Sequence, residues 1–454
     1  YKYRMKKFVR GIRKFIQLLR SFGRALHNPR TCILFVIVIA LSCVSVFLYV
    51  TRPTQLDKLG ISYLELLDRS VVQENVSEKF KNTYEANDYL IYGENMMFYA
   101  NEYDGNVDPM QGMNVLLRNV DTEEEISYTF SGGVDSGIGL ASLSQGLYEV
   151  YVYDNYVKKR LYFQDEEESL NFSTMRRNEM VKNVQVHASK DYLKDFGVNM
   201  DKNYVFISVV DNIPMVRTID VLIDPGGNVY NEADNSIDYG VGNDLINEAS
   251  ASLELAEMLK EKLEAKGLRV ELTRDAESTP SYYGKSGRAG IGYEKQAKVF
   301  ISLGMLVDET QTRPIMMISP YTSGLLANEV SYTLLQNGIE LPDISAQENL
   351  NLGILYDSLR VDEEGNSTKF ELYPQLRETG GKATFAGQAE SSKSNQAYAD
   401  YYGMNSIYFQ FANLASTDSI NYYLENKETI ATSIADAITN YYEIEGETDE
   451  TTTE

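Results

Sequence analysis

The chain has 454 residues, of which 43% are hydrophobic, and this length is enough for about three domains with cores of their own. Its formal net charge of −24 argues against binding to DNA or RNA, whose phosphates attract basic proteins. The two cysteines, Cys32 and Cys43, lie close together near the N-terminus, which excludes a disulfide framework or a thiolate metal site in the rest of the chain.

The N-terminal part has a strongly asymmetric charge distribution. Residues 1–30 contain ten lysines and arginines and no acidic residue, and residues 31–50 contain no charged residue at all. Twenty uncharged residues are enough to cross the ~30 Å hydrocarbon core of a bilayer. The pattern predicts a basic cytoplasmic segment, a transmembrane helix over 31–50, and a body on the outer side of the membrane.

Residues 51–86 contain apolar side chains at helical spacing, for example Ile61, Leu64 and Leu67. This stripe predicts a short stalk helix. Such a helix packs either on the neighbouring domain of its own chain or on a partner.

Residues 87–170 change to the two-residue period of β-strands, and clusters of Gly and Asp separate the apolar runs. The pattern predicts a β-sandwich of immunoglobulin-like type. Within the run 145–153, Tyr148, Val150 and Val152 share one face, which is expected to be the core. The tyrosines of this module could stack on sugars, or they could form ordinary cross-strand pairs.

Residues 171–215 contain further strand-like runs, which connect the β-module to the last domain and could belong to either side. Residues 216–445 alternate between strand and helix patterns. This alternation predicts an α/β domain with a sheet that helices cover on both faces. Residues 446–454 form an acidic, Thr-rich tail, for which disorder is expected.

The most informative stretch is Val221–Gly227, an apolar run that ends in Asp-Pro-Gly-Gly. It predicts a buried strand with a tight loop at its C-terminal end, where open α/β sheets bind ligands. Glu248 begins a helical pattern 21 residues after this loop. Two more apolar runs follow, Val299–Gly304 and Ser406–Gln410.

Together these segments resemble the zinc-dependent N-acetylmuramoyl-L-alanine amidases of bacterial cell-wall turnover. That family has a strand ending in IDPGHGG, a glutamate at the start of a helix, a strand ending in SIHAN and a late strand ending in a catalytic glutamate. The resemblance covers roughly residues 216–445. It implies an amidase-like fold and an association with peptidoglycan.

In the family, two histidines and one glutamate hold the zinc, whose bound water attacks the amide that joins muramic acid to the stem peptide. Gly227 stands at the first histidine, and Gly304, sixteen residues after Arg288, stands at the second. Glu248 matches the retained zinc ligand. Gln410 stands at the catalytic glutamate, and an amide cannot accept a proton at neutral pH. The resemblance therefore implies a site without zinc, and no cofactor is predicted.

The histidine inventory is consistent with this alignment, because His187 is the only histidine after the predicted transmembrane helix. A groove that still holds a glycopeptide has five candidate residues: Asp224, Glu248, Arg288, Arg377 and Gln410. Oxygen atoms of Asp220, Asp224 and Glu248 offer an alternative site for a hard cation.

We interpret the sequence as a membrane-anchored pseudo-amidase of the bacterial cell envelope that binds peptidoglycan or an envelope partner. Two alternatives stay open. One is an active amidase-type hydrolase with an unrecognised site, for which Glu248 and Asp224 are the best candidates. The other is an extracytoplasmic scaffold that acts through its β-module.

Overall fold

The structure is a computed structural model. It describes residues 60–86, 88–99, 110, 112–130, 137–169, 171–176, 180–214, 219–232, 234–308, 311–320, 322–346, 350–357, 373–381, 398 and 401–444. All of them belong to one compact unit that runs from Leu59 to Glu454. The predicted basic segment 1–30 and the predicted acidic tail 446–454 lie outside the described residues.

The α-helices are α1 (Arg69–Asn75), α2 (Glu248–Ala265), α3 (Arg288–Glu294), α4 (Leu325–Gln336), α5 (Pro374–Thr379) and α6 (Thr417–Tyr441). The strands in the first half are β1 (Thr83–Ala86), β2 (Asp88–Tyr92), β3 (Asn95–Tyr99), β4 (Asn114–Asn119), β5 (Glu125–Thr129), β6 (Ile138–Gly139), β7 (Gly146–Asp154), β8 (Val157–Phe163), β9 (Glu167–Glu168), β10 (Phe172–Ser173), β11 (Met180–Ala188) and β12 (Asn203–Pro214). Those in the second half are β13 (Val221–Pro225), β14 (Val229–Asn231), β15 (Ser236–Asp238), β16 (Val270–Leu272), β17 (Val299–Leu306), β18 (Ile315–Ile318), β19 (Ile354–Tyr356) and β20 (Asn405–Asn413).

The membrane-anchored part of the prediction needs correction. Residues 31–50 lie outside the described residues, and none of the helices that the structure does describe has both the length and the hydropathy to span a bilayer. The two longest of these helices, α2 and α6, are amphipathic and carry charged side chains along their exposed sides. The described fold therefore gives no support to a transmembrane helix or to a single-pass protein of the cell membrane.

The β-rich half is built on one large sheet with the strand order β10-β11-β12-β8-β7-β4-β5, to which β1 and β9 are added at the side. Strand β12 pairs with β7 and β8 as well as with β11. The strands predicted as a connection over 171–215 thus belong to the β-module. The expectation of an immunoglobulin-like sandwich was wrong, because these strands extend a single sheet and β1 joins it in parallel to β8.

Both faces of this large sheet are buried. Tyr148, Val150 and Val152 lie in one core with residues of a small sheet, β2-β3-β6, which confirms the predicted core face. Leu147 points to the opposite core, where Leu64 and other side chains of the segment before β1 cover the sheet. The stalk-like stripe therefore packs on its own neighbouring module.

The second half contains a sheet with the order β16-β13-β17-β20-β18-β19, and only the β18–β20 pair among these is antiparallel. Val221 and Ile223 face the core beneath α2, α4 and α6. Leu222 and Phe300 face the other core, beneath α3. Alternate residues thus reach opposite cores, and the predicted helix-covered sheet is confirmed.

Local signals set both ends of α2, which begins at Glu248 as predicted. The Asn247 side chain accepts a hydrogen bond from the Ser250 backbone N–H and caps the N-terminus. Gly267 follows the helix with φ +81°, a left-handed conformation that glycine adopts without steric cost. The position of Glu248 at the first turn is fixed by this capping.

Candidate functional site

The three predicted strand ends meet at one edge of the α/β sheet. Asp224 pairs with Ser302 across β13 and β17, and Gly304 pairs with Gln410 across β17 and β20. The backbone N–H of Gly226 donates to the Leu303 carbonyl at 2.7 Å, which closes the loop after β13 over β17. Segments separated by almost 200 residues therefore form one site.

A cavity of about 480 Å³ opens at this edge. Among the sequence-predicted residues, it is lined by Gly227, Glu248, Arg288 and Gln410. Three further candidates are not part of its lining: Asp224, Gly304 and Arg377. The sequence did not point to three tyrosines that form much of the wall, Tyr282, Tyr373 and Tyr408.

The carboxylate of Glu248 is fully engaged by the main chain. One oxygen accepts from the Val241 backbone N–H and the other from the Met305 backbone N–H, each at 2.8 Å. Burial raises the pKa of Glu248, and the two N–H donors partly offset that rise. The side chain therefore ties the helix start to the end of β17, and neither oxygen depends on a metal for a partner.

Gly227 has no space for a side chain. Its φ is +71°, and a Cβ added there would lie 2.7 Å from the Tyr239 carbonyl oxygen and 2.9 Å from the Ala249 Cβ. Contacts shorter than 3 Å to backbone atoms cannot be relieved by rotating a side chain. A histidine at this position would require the loop to move.

The space beside Gly304 is filled from the neighbouring strand. A Cβ added there would lie 2.5 Å from the Tyr408 hydroxyl oxygen and 2.8 Å from a carboxylate oxygen of Glu248. Burial and the nearby Glu248 carboxylate raise the pKa of Tyr408, so this phenol stays protonated at neutral pH. Tyr408 thus occupies the region where a side chain at position 304 would begin.

A zinc ion does not fit the residues present. Gly227 and Gly304 supply no ligand atom, and both oxygens of Glu248 accept main-chain hydrogen bonds. Within the described part of the chain, no three His, Cys, Asp or Glu side chains are grouped in a way that could hold a metal. His187 lies in the β-rich half and stacks on Tyr192 with ring centroids 4.4 Å apart.

The hard-cation alternative also conflicts with the observed contacts. Asp220 forms an ion pair with Arg269 at 2.7 Å. Asp224 is completely buried, and its oxygens accept from Thr273 and Ser302 hydroxyls and from the Arg288 guanidinium. Both carboxylates are therefore structural.

Arg274 and Arg288 hold the loops around the cavity. Arg274 donates to the carbonyl oxygens of Pro225, Gly226 and Ala249, which fixes the loop after β13 against the start of α2. Arg288 donates to Asp224 at 2.9 Å, and the ring of Tyr282 covers its guanidinium at 4.4 Å. These contacts hold the loops at the mouth of the cavity.

Two buried polar atoms at the cavity have no hydrogen-bond partner among the described residues. They are the Arg288 Nε, a donor, and the Gln410 Oε1, an acceptor. Gln410 is 3% exposed. Buried polar atoms without partners are costly, and a bound polar molecule could satisfy them.

Arg377 lies away from this cavity. Its guanidinium is 5.7 Å from the centroid of the Tyr283 ring, and its positive charge acts on the carboxylate of the next residue, Glu378. Burial raises the pKa of Glu378 to about 7, although Arg377 and Arg288 both act to lower it. Arg377 therefore lies beside Tyr283 and does not line the cavity.

Comparison with known proteins gives structural neighbours only. No protein-family profile and no curated protein matches the chain. Solved structures that match include the catalytic domain of CwlV, an N-acetylmuramoyl-L-alanine amidase from Bacillus (Paenibacillus) polymyxa. The two chains are 18% identical, the match covers 50% of this chain and 99% of that chain, and the TM-score is 0.34. Another is the CwlD amidase from Clostridioides difficile in complex with the GerS lipoprotein, with 17% identity, coverages of 50% and 100%, and a TM-score of 0.31.

Cwp6 from Clostridium difficile also matches, with 16% identity and a TM-score of 0.33, but the match covers 49% of this chain and only 29% of Cwp6. The structural neighbours thus include N-acetylmuramoyl-L-alanine amidases. At these identities and TM-scores, the similarity does not define a function for this chain.

Proposed function

We propose that the strand-end cavity binds a peptidoglycan fragment without cleaving it. The observation that carries this proposal is the position of Tyr408, whose hydroxyl occupies the space beside Gly304 where a zinc-binding side chain would have to begin. A metal-activated water has no place in such a centre. The cavity itself, at about 480 Å³, is still large enough for a ligand.

The ligand class follows from the resemblance of the strand-end motifs to the amidase family and from the chemistry of the walls. Tyr282 and Tyr373 offer aromatic surface, and the free acceptor on Gln410 and the free donor on Arg288 suit the amides and hydroxyls of a glycopeptide. Binding of a protein partner of the cell envelope is the competing function, and a wild type that does not co-sediment with peptidoglycan would favour it.

The first test is sedimentation of the whole 454-residue chain with insoluble peptidoglycan. We expect co-sedimentation of the wild type and at least about tenfold weaker binding of the double variant Tyr373→Ala/Gln410→Leu, because it loses an aromatic wall and the free acceptor. Tyr332→Ala is the matched control, since Tyr332 is exposed on α4 and does not line the cavity. Equal binding of the wild type and the double variant would assign any wall binding to another surface.

The second test separates binding from catalysis. The wild type should release no stem peptide during long incubation, and metal analysis after gentle purification should find no stoichiometric zinc. About one zinc per chain together with peptide release would establish a hydrolase and refute the proposal.

A further inference from the structure

A second cavity, of about 150 Å³, lies where the β-rich half meets the α/β sheet. Aromatic side chains from three different segments form its walls: Phe172, Tyr293, Tyr401 and Tyr402. Asn171, Ser173 and Gln296 add polar groups. An apolar cavity of about this volume can hold a benzene-sized molecule.

The two halves are joined firmly around this cavity. Backbone hydrogen bonds connect Gly93 to Gly403 at 2.8 Å and Gly403 to Ile91 at 2.9 Å. The Tyr92 hydroxyl accepts from the Ser406 backbone N–H at 2.8 Å. The walls on both sides are therefore part of one hydrogen-bonded structure.

Lys298 brings a positive charge into this aromatic surrounding. Its backbone is fixed by hydrogen bonds with Asp220 and Asn405 just before β17, and the residue is only 8% exposed. The Nζ lies 3.9 Å from the centroid of the Phe172 ring. Among the described residues, no hydrogen bond or ion pair to this ammonium is present, although Lys298 lines the cavity.

Two carboxylates, Glu94 and Asp220, favour the charged form of Lys298 through their own charges, but each also has another partner. Asp220 is bound to Arg269, and one oxygen of Glu94 accepts the Met175 backbone N–H. Burial lowers the pKa of Lys298, and the nearby charges of Glu94 and Asp220 partly offset this shift. A buried charge without an ion-pair partner is costly, and a bound anion would compensate it.

We propose that this second cavity binds a small carboxylate with an apolar body. The carboxylate would accept a charge-assisted hydrogen bond from the Lys298 ammonium, and the aromatic walls would bury the apolar part. A free organic acid and the C-terminal end of a peptide share this chemistry. The inference is independent of the function proposed for the strand-end cavity, because the two cavities share no residue.

The test uses benzoate and its neutral isostere benzamide as probes, titrated into the whole chain by calorimetry. We expect saturable binding of benzoate and at least about tenfold weaker binding of benzamide. Lys298→Met should remove this preference, because methionine keeps the length of the side chain but carries no charge. Tighter binding of N-acetylphenylalanine than of benzoate would assign the site to a peptide end, and weaker binding would assign it to a free acid.

Lys295→Met is the matched control, since Lys295 forms an ion pair with Glu271 and does not line the cavity. It should keep the preference for benzoate unchanged. Lys298→Gln serves as a second variant in case the methionine protein does not fold, and it should lose the preference in the same way. Equal affinity of benzoate for the wild type and either Lys298 variant, or no saturable binding by the wild type, would overturn the proposal.

Discussion

The strand-end cavity has two different parts, a frame of buried charged side chains and a centre around its two glycines. In the frame, Asp224, Arg274 and Arg288 are buried and bound to one another or to loop carbonyls. In the centre, Gly227 and Gly304 have no side chains, and Tyr408 fills the adjacent space. The hydrogen bonds that shape such a site therefore do not depend on the groups that would perform chemistry in it.

The frame should be the more sensitive region. Asp224→Ala leaves the Arg288 guanidinium buried without its carboxylate partner, and we expect unfolding free energy to fall by about 5 kcal/mol. Urea unfolding measures the change. Asp238→Ala is the control, because Asp238 lines the same cavity but is exposed. A loss for Asp224→Ala no larger than that of the control would show that the frame does not stabilise the fold.

The two glycines of the centre should behave differently when each is replaced by alanine. Gly227→Ala meets backbone atoms at positive φ, and strain plus overpacking should cost about 4 kcal/mol. Gly304→Ala meets mainly the Tyr408 side chain and the Glu248 carboxylate, both of which can shift. Its cost should be smaller, and urea unfolding of both variants gives the comparison.

A double-mutant cycle sharpens this contrast. Tyr408→Ala should reduce the cost of Gly304→Ala, because it removes the ring that fills the space. Ala249→Gly should leave most of the cost of Gly227→Ala, because the Tyr239 carbonyl and the positive φ remain. Additive effects of Gly304→Ala and Tyr408→Ala would contradict the assignment of Tyr408 as the filling group.

Glu378, whose carboxylate is buried and acted on by the charges of Arg377 and Arg288, should make stability depend on pH. Its folded pKa of about 7 lies above the unfolded value. As pH rises, the unfolded chain loses this proton first, so the wild type loses stability between the two pKa values. Glu378→Gln does not titrate, and it should gain roughly 3 kcal/mol relative to the wild type between pH 4 and pH 8.

Urea unfolding across this pH range measures the difference. Glu257→Gln, at an exposed position of α2, is the control and should follow the wild-type profile. Parallel pH profiles for Glu378→Gln and the wild type would show that Glu378 is not held protonated in the folded protein.

The secondary structure around the strand-end cavity was predictable from the sequence, but the filling of its centre was not. The apolar run before Asp224 and the helical pattern that begins at Glu248 are local signals, and the structure has a strand and a helix at these places. Tyr408 is one of 34 tyrosines, and nothing local shows that its ring reaches across to Gly304. That contact depends on the pairing of β17 with β20, which are separated by about a hundred residues.

The β-rich half shows the same limit. Alternation correctly gave the core face of Tyr148 and Val150, because the side-chain period of a strand is local. The sequence left the place of the strands in 171–215 open, since β11 and β12 extend the sheet through long-range pairing. The uncharged stretch 31–50 gave a strong hydropathy signal, yet it lies outside the residues from which the described fold is built.

The smallest effect is expected for Glu248→Gln, which tests how the retained carboxylate is used. Glutamine has one acceptor oxygen, so either the Val241 or the Met305 N–H would lose its partner and face an amide donor. The loss of unfolding free energy should be about 2 kcal/mol, less than for Asp224→Ala because no buried cation is left unpaired. Glu254→Gln, at an exposed position of α2, should change little.

A chelator gives the second measurement for the same variant. Because main-chain N–H groups occupy both oxygens of Glu248, added EDTA should leave the urea midpoint of the wild type unchanged. If EDTA lowered the wild-type midpoint to that of Glu248→Gln and had no effect on the variant, Glu248 would be holding a metal. The centre of the site would then be an occupied metal centre, and Tyr408 would have to lie elsewhere.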